Sequence, residues 1–328
     1  MDATINYLHD ANHWLDGMGI LTNNNATNDT AQVSVDYNYD ADGLLTQAVV
    51  DSSANLIFFR TPENGLLTGT QMGAIVDSWQ YNGFAESVGY RADYSGNDLL
   101  HEVYTRDKLG RITQKVETIA ATTTTTIYGY DLAGRLDTVT VNGTQIADYS
   151  YDSNSNRVGA ALTATGIATT GCAAAMSNPS ATVDAQDRLL SYGNCTYTYT
   201  SNGELTDKTN INTSQTTTYD YDVFANLRSA TLPNGDVLSY QIDGKNRRIG
   251  KRVNGIKVQG FVYMNQLEPV AETDGAGNRV ATFIYADRSN VPSMMRKNGN
   301  SYRIIADHLG SVRLVVDTAY GTVVLRMG

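Results

Sequence analysis

The sequence predicts an all-β protein built from consecutive antiparallel hairpins, and three observations carry that prediction. Tyr, at 21 residues, far outnumbers Phe at 6 and Trp at 2, and a chain rich in Tyr, Thr, Asn and Gly favours strands and turns over helices. Asn-Gly or Asp-Gly pairs, the strongest short hairpin signal, occur 11 times. A short motif with paired tyrosines also returns along the chain, as a repeat architecture requires.

The clearest copy of this repeat is residues 127–140. Its two tyrosines, the second of which is Tyr130, are two residues apart and therefore point to the same face of a strand. Asp131 can accept hydrogen bonds from nearby backbone, and Gly134 can adopt the positive φ that a tight turn needs. Arg135 then begins a second extended segment that is rich in β-branched residues. The unit is thus strand, turn and strand.

Further copies repeat the paired tyrosines and the polar turn. From Tyr104 onward they lie about 19 to 26 residues apart, with one interval of 48 that contains an insertion. Stacked in register, the tyrosines are expected to form an aromatic ladder, each pair worth roughly 0.2–1 kcal/mol. The repeat residues predicted to be structural are Tyr39, Asp40, Gly43, Tyr130, Asp131, Gly134, Arg135, Tyr151, Asp152, Tyr199, Gly203, Tyr221 and Asp222. Arg157 is expected to occupy the position of Arg135 in its own copy.

With its Tyr-Asp-x-x-Gly-Arg-Leu units the chain resembles the RHS or YD-repeat proteins. That family includes bacterial polymorphic toxins, the B and C components of insecticidal toxin complexes, and animal teneurins. The resemblance covers most of residues 35–317 and implies a spiral of hairpins that forms part of a hollow β-shell. The residues Asp307, His308, Leu309, Gly310 and Arg313 resemble a segment near the C-terminal end of bacterial RHS shells. His308 is expected there as a hydrogen-bonded structural residue, and a longer chain is expected to continue into the core and toxin regions.

The domain organisation follows from composition. Residues 1–30 are polar and Asn-rich and are expected to be mostly loop, whereas residues 31–328 are expected to form the shell. Residues 159–182 are rich in Ala, Thr and Gly and are expected to form an insertion loop between two repeats. Cys172 and Cys195 are the only cysteines, and the sequence leaves open whether they form a disulfide or remain two thiols.

Composition and spacing argue against several functions. A net charge of −10 argues against a nucleic-acid binder, and no run of 18 apolar residues predicts a membrane span. His9 and His13 have a spacing that could bind a metal on a helix, but Asn12 and Gly17 disfavour a helix, so loop histidines are predicted. Residues 152–156 match the start of a calcium loop, yet the required Gly and Glu do not follow. No catalytic residue, cofactor or metal site is predicted.

The function that the resemblance implies is a non-enzymatic encapsulating scaffold of an RHS-type bacterial toxin. Its partners would be the remainder of the RHS core and a C-terminal toxin polypeptide, secreted or displayed at the cell surface, with a specialised secretion system as a possible route. The alternative is an extracellular adhesive or filament-forming protein that binds glycans, or neighbouring copies through exposed sheet edges. A polar lumen would favour the first function, and a filled interior with lateral contacts between copies would favour the second.

Overall fold

The computed structural model describes residues 3–9, 15–22, 32–51, 54–163, 166–168 and 170–327. These residues form 29 β-strands in one sheet of 14 strands and one of 15, and each strand pairs with its neighbours in sequence. Neighbouring strands run antiparallel. The fold is therefore all-β and built from consecutive hairpins, which confirms the fold class predicted from the sequence.

The first sheet runs from the N-terminus to the insertion. Its strands are β1 Ala3–His9, β2 Leu15–Thr22, β3 Gln32–Tyr39, β4 Leu45–Val50, β5 Ala54–Arg60, β6 Leu67–Met72, β7 Ile75–Tyr81, β8 Ser87–Tyr94, β9 Asn97–Arg106, β10 Ile112–Ile119, β11 Thr122–Tyr130, β12 Leu136–Val141, β13 Thr144–Tyr151 and β14 Arg157–Leu162.

The second sheet follows the insertion. Its strands are β15 Ala181–Val183, β16 Leu189–Tyr192, β17 Cys195–Tyr199, β18 Leu205–Asn210, β19 Gln215–Tyr221, β20 Leu227–Thr231, β21 Val237–Ile242, β22 Arg248–Val253, β23 Ile256–Tyr263, β24 Pro269–Asp274, β25 Arg279–Ile284, β26 Met294–Lys297, β27 Asn300–Ala306, β28 Val312–Asp317 and β29 Val323–Arg326. An isolated bridge between Gly159 and Ser180 joins the two sheets.

The N-terminal segment is more regular than its composition predicts. Residues 1–30 were expected to be mostly loop, but β1 and β2 pair along residues 3–22, and β2 pairs in turn with β3. The pairing satisfies backbone groups that a polar sequence would otherwise leave to water, and it buries Met18 in the core. Both His9 and His13 are predicted to be loop histidines. His9 is exposed but is the last residue of strand β1, whereas His13 lies outside the described residues.

Two hydrophobic clusters form where the end of the chain packs on its beginning. The first joins buried residues of β2–β6 to Val270, Ala271, Ile284 and Met294. The second joins β7–β10 to β27 and β28. Burial alternates along the strands, as in β5, because only one face of the first sheet is covered. We call this two-layered region, β2–β10 with β24–β28, the overlap.

The strands between these regions form a single layer. From β11 to β23, no strand among the described residues contributes a residue to the buried set of either cluster. Most of their residues are half-buried on both faces, as in β12 and β18. We call β11–β23 the wall. The sheet leaves the overlap at β10 and returns to it at β24, so it bounds a hollow, as the predicted shell requires.

The overlap should supply the stability that the wall lacks. Ile305 is 1% exposed and packs in the second cluster, so Ile305→Ala is expected to lower the free energy of unfolding by about 2–5 kcal/mol. Ile256 lies in the wall and is 72% exposed, and Ile256→Ala should change that value by less than about 0.5 kcal/mol. Denaturant titration measures both values. Equal losses in the two variants would contradict a core confined to the overlap.

Candidate functional site

The repeated turn is held by its first residue. The Oδ1 atom of Asp131 accepts a hydrogen bond from the Arg135 backbone N–H at 2.9 Å, and Oδ2 accepts one from Arg135 Nε at 2.7 Å. The backbone closes the same turn, because Gly134 N–H donates to the Asp131 carbonyl at 2.9 Å. Asp40, Asp152 and Asp222 accept equivalent backbone bonds in their own turns. The predicted repeat aspartates are therefore turn acceptors.

The fourth residue of this turn has a positive φ in many copies of the repeat. Glycine takes the position at Gly43, Gly134 and Gly203, with φ of 78°, 84° and 100°. Other residue types take it at Ala85, Ser155, Asp187, Ala225 and Asn246. The paired tyrosines and the leading Asp predict the copies at Ser155 and Ala225 even without the glycine that most clearly marks such a turn.

Each turn arginine also reaches the next hairpin. The guanidinium of Arg135 lies 4.4 Å from the ring centroid of Tyr151, whose hydroxyl donates to the Leu136 carbonyl at 2.6 Å. Arg111 and Tyr130 repeat the arrangement at 4.5 Å. Further pairs are Arg188 with Tyr199 and Arg247 with Tyr263. The second tyrosine of a hairpin is thus bound by the turn that precedes it.

Two expectations about the repeat are corrected by this geometry. The tyrosines contact arginines and carbonyls rather than forming an aromatic ladder, and the ring pairs in the described part of the chain are not between two tyrosines. Arg157 does not take the position of Arg135. Asn156 does, and its side chain donates to Asp152 at 3.0 Å, whereas Arg157 packs over Tyr149 at 5.0 Å.

The segment from Asp307 to Arg313 is a further copy of the turn. Asp307 Oδ1 accepts hydrogen bonds from the backbone N–H groups of Leu309 and Ser311, both at 2.9 Å, and Gly310 has φ of 87°. The ring of His308 packs edge-on against Tyr104 of β9 at 4.8 Å, and within the described residues its side chain does not make the expected hydrogen bond. Burial lowers the pKa of His308. The motif therefore contributes a side-chain contact, His308 with Tyr104, between the second sheet and the first.

A buried ion pair also links the two sheets. Arg303 of β27 is 2% exposed and Asp77 of β7 is 1% exposed, and they meet at 2.7 Å and 2.9 Å through Nη2 and Nε. The Tyr90 hydroxyl donates to the second Asp77 oxygen at 2.7 Å, and Arg303 Nη1 donates to the Ser293 carbonyl at 2.6 Å. Burial raises the pKa of Tyr90, and Asp77 raises it further. These groups satisfy one another, as charges at such burial must.

A second polar cluster lies beside it. Glu102 and Glu117 face each other directly on β9 and β10, and Arg313 of β28 reaches Glu117 at 2.7 Å. Burial raises the pKa of Glu102. Burial would also raise the pKa of Glu117, but Lys115 at 2.9 Å and Arg313 outweigh it and hold that pKa low. Sequence analysis found Arg313 but not its partners, because they are far apart in the chain.

The insertion is pinned to the wall. Cys172 and Cys195 form a disulfide with a Cα–Cα distance of 5.2 Å, which answers the question that the sequence left open. The Asn194 backbone N–H donates to the Cys172 carbonyl at 2.7 Å. Among its described residues the insertion contains no strand between Leu162 and Ala181, so it begins at residue 163, four residues later than the predicted boundary at residue 159.

No group of three or more His, Cys, Asp or Glu side chains in the described ranges could hold a metal ion. No helix in those ranges is long and apolar enough to cross a membrane. The repeated side chains described above all act on the backbone, on each other or on the facing sheet. The arrangement is that of a structural shell of YD repeats.

Comparison with known families agrees with this class. The family model described as Teneurin YD-shell matches residues 2–328, and the chain belongs to that family. Teneurin-4 of Mus musculus and of Homo sapiens are each 23% identical over 234 residues, which is 66% of this chain. The chain spans only 8% of the length of these relatives.

Solved structures show the same fold. The crystal structure of TcdB2-TccC3 matches 96% of this chain and 20% of that chain, with a TM-score of 0.54 and 14% identity. The Tc holotoxin pore of Photorhabdus luminescens matches 96% of this chain and 19% of that chain, with a TM-score of 0.53 and 13% identity. At these identities the likeness concerns the fold alone.

The hydrogen bond from the Tyr151 hydroxyl to the preceding hairpin should contribute measurably to the free energy of unfolding. Tyr151→Phe removes the donor to the Leu136 carbonyl and is expected to lower the free energy of unfolding by about 1 kcal/mol. The hydroxyl of Tyr149, on the same strand, makes no hydrogen bond within the described residues, so Tyr149→Phe is the matched control. Urea titration of both variants measures the difference. A loss in Tyr149→Phe as large as that in Tyr151→Phe would contradict the assignment.

The turn carboxylates should make stability depend on pH. The pKa of Asp131 is lowered, chiefly by the Arg135 backbone N–H and further by its guanidinium. A folded pKa below the unfolded value of about 3.9 stabilises the protein above that value, and the stabilisation is lost as pH falls through the folded pKa. Asp131→Asn should therefore be less stable than wild type near neutral pH, and the gap should narrow below about pH 4. Unfolding measured from pH 7 to pH 3 tests this, and a gap independent of pH would contradict it.

Proposed function

We propose that this chain is part of a non-enzymatic encapsulating scaffold of an RHS-type bacterial toxin that encloses a polypeptide cargo. The observation that carries the proposal is the single-layered wall, whose residues are half-buried on both faces. A wall that had collapsed onto an opposite layer would contain a buried cluster, as the overlap does. A half-solvated inner face suits a space that holds a polypeptide.

The size of the ring supports this role. The Tyr7 hydroxyl of β1 donates to the Met264 carbonyl just after β23 at 3.2 Å, so the sheet returns to its start at β23. At about 4.8 Å per strand the path from β1 to β23 is roughly 105 Å, and a ring of that perimeter is roughly 33 Å across. Inner side chains take up about 5 Å on each side. The remaining width admits an extended or partly folded chain.

The side chains exposed on one rim of the shell favour binding to the predicted partners. The repeated turns lie on one rim because each follows an odd-numbered strand. Several turn tips carry apolar side chains that are at least 75% exposed, namely Phe84, Leu109, Leu132, Phe224 and Leu309. Exposed apolar groups mark a contact surface where they lie together, as on the successive turns after β7, β9 and β11 that carry Phe84, Leu109 and Leu132. These side chains suit binding to the remainder of an RHS core. The proposed assembly also contains a toxin polypeptide, and it is secreted by a bacterium or displayed on the bacterial cell surface.

The experiment isolates the protein from its native source with its associated polypeptides and measures the intact mass of the assembly. Limited proteolysis then shows whether an enclosed polypeptide is protected. Arg303→Met breaks the buried pair with Asp77, and loss of one partner of such a pair costs about 3–5 kcal/mol. This variant should open the overlap and expose the enclosed polypeptide to protease.

The matched control is Arg326→Met, because Arg326 is exposed in β29. Its assembly should protect the polypeptide as wild type does. An assembly that contains only copies of this chain, stacked into fibres or sheets with nothing enclosed, would overturn the proposal in favour of a filament-forming surface protein.

A further inference from the structure

The wall is interrupted between β14 and β15. In the described part of the chain every other pair of consecutive strands shares a ladder of at least two paired residues, whereas these two strands share none. Residues 177–180 run beside β14 instead. The Leu162 N–H donates to the Ser177 carbonyl at 2.6 Å, and the Ala160 N–H donates to the Pro179 carbonyl at 3.1 Å. We call residues 159–162 with residues 177–180 the seam.

The disulfide lies beside the seam. It joins Cys172 of the insertion to Cys195, the first residue of β17. Cys195 pairs with Tyr192 across the turn between β16 and β17. Gly193 in that turn lets the insertion approach closely, because an added Cβ there would lie 2.4 Å from the Cys172 carbonyl oxygen. The bond therefore ties the insertion to the hairpin that follows the seam.

Apart from the disulfide, little hydrogen bonding holds residues 170–176 on the wall. Their backbone bonds lie mostly within the insertion, as from the Ala175 N–H to the Ala168 carbonyl at 2.9 Å. Among the described residues one backbone bond reaches the hairpin, from the Asn194 N–H to the Cys172 carbonyl at 2.7 Å. No described residue of the insertion belongs to the buried set of either hydrophobic cluster.

The insertion also covers the disulfide. Cys195 is 2% exposed and Cys172 is 9% exposed, although most residues of the wall are half-buried on both faces. A reducing thiolate must reach a sulfur atom directly. Access therefore requires the insertion to lift, and a local opening that breaks so few bonds is of the low-energy kind.

The disulfide halves the length of chain that tethers the two sides of the seam. With the bond intact, β14 is joined to β17 through the residues 163–171, which span at most about 30 Å. Without it, β14 is joined to β15 through the residues 163–180, which span at most about 60 Å. A shorter tether keeps the separated edges close and favours their return.

We propose that the Cys172–Cys195 disulfide is a redox-controlled latch of the wall, and that a dithiol reductant opens the seam by breaking it. A thiolate of the reductant attacks one sulfur, the S–S bond breaks, and the other cysteine leaves as a thiolate. The second thiol of the reductant then displaces the first cysteine. The reductant ends as a disulfide, and its two electrons and two protons end on the two cysteine thiols.

The latch itself does not require a cargo, but its use rests on the proposed function. A scaffold that forms in an oxidising compartment keeps the disulfide, and transfer to a reducing compartment breaks it. The seam would then open in the compartment where an enclosed polypeptide is to be released.

The test compares hydrogen–deuterium exchange of the full chain before and after treatment with dithiothreitol, with intact mass after thiol alkylation to confirm reduction. The backbone amides of Ala160, Leu162 and Asn194 should exchange at least about tenfold faster after reduction, because a disulfide commonly contributes at least that factor. Amides of β21 and β22, which lie in the same wall away from the disulfide, should change by less than about twofold.

The matched variant is Cys172→Ala/Cys195→Ala. Its seam should exchange as in reduced wild type, and dithiothreitol should not change it further, because the chain has no other cysteine. An effect of dithiothreitol on this variant would place the action of the reductant elsewhere and overturn the assignment.

Equal exchange at the seam in oxidised and reduced wild type would also overturn the latch. So would a disulfide that dithiothreitol reduces only in denaturant. A rise in β21 and β22 as large as that at the seam would show that the whole wall unfolds, which contradicts a local opening.

Limited proteolysis of the assembly from its native source separates the latch from its use. Reduction should expose an enclosed polypeptide to protease. An assembly without such a polypeptide contradicts the cargo scaffold, whereas faster exchange at the seam still supports the latch. A polypeptide that stays protected after the seam has opened would contradict the proposed use of the latch.

Discussion

The contact between each turn arginine and the tyrosine of the next hairpin is the interaction on which the wall depends. A single hairpin is marginally stable in water, and the wall offers no second layer to bury against. Arg135 is held by Asp131 on one side and lies over Tyr151 on the other. The Tyr151 hydroxyl then binds a carbonyl of the preceding hairpin, so a unit that carries this arginine fixes the register of its neighbour.

The overlap is stabilised by different interactions from those that stabilise the wall. There one face of the first sheet is covered by β24–β28, and apolar burial supplies most of the stabilisation. The buried pair of Arg303 and Asp77 adds little net energy relative to apolar residues of similar size. It does require one relative position of β7 and β27, because any other would leave a charge without a partner. The pair therefore fixes how the end of the chain lies on its beginning.

The sequence predicts the repeated hairpin well, but it predicts poorly how the end of the chain packs on its beginning. The turn that follows Tyr130 is visible because Asp131 and Gly134 are the residue types that such a turn demands. The same turn at Ala225 lacks the glycine, so its copy is predicted from Tyr221 and Asp222 alone. The contact of Arg303 with Asp77 joins residues 226 positions apart, and no local pattern marks it. The strands β1 and β2 form from a polar segment because β3 offers them a paired edge.

A wall without a core makes its glycines informative. In such a wall the cross-strand side-chain pairs supply the stability of the sheet, and a glycine in a strand costs about 0.5–1 kcal/mol relative to alanine. A glycine in the wall faces a side chain that covers it, as Gly129 faces Thr138 and Gly260 faces Thr273. Gly250 and Gly260 also face each other, and Gln241 covers Gly250 from its other side. The side chains of neighbouring strands thus occupy the space that a Cβ would take, so each of these glycines allows close packing between strands instead of leaving a gap in the wall.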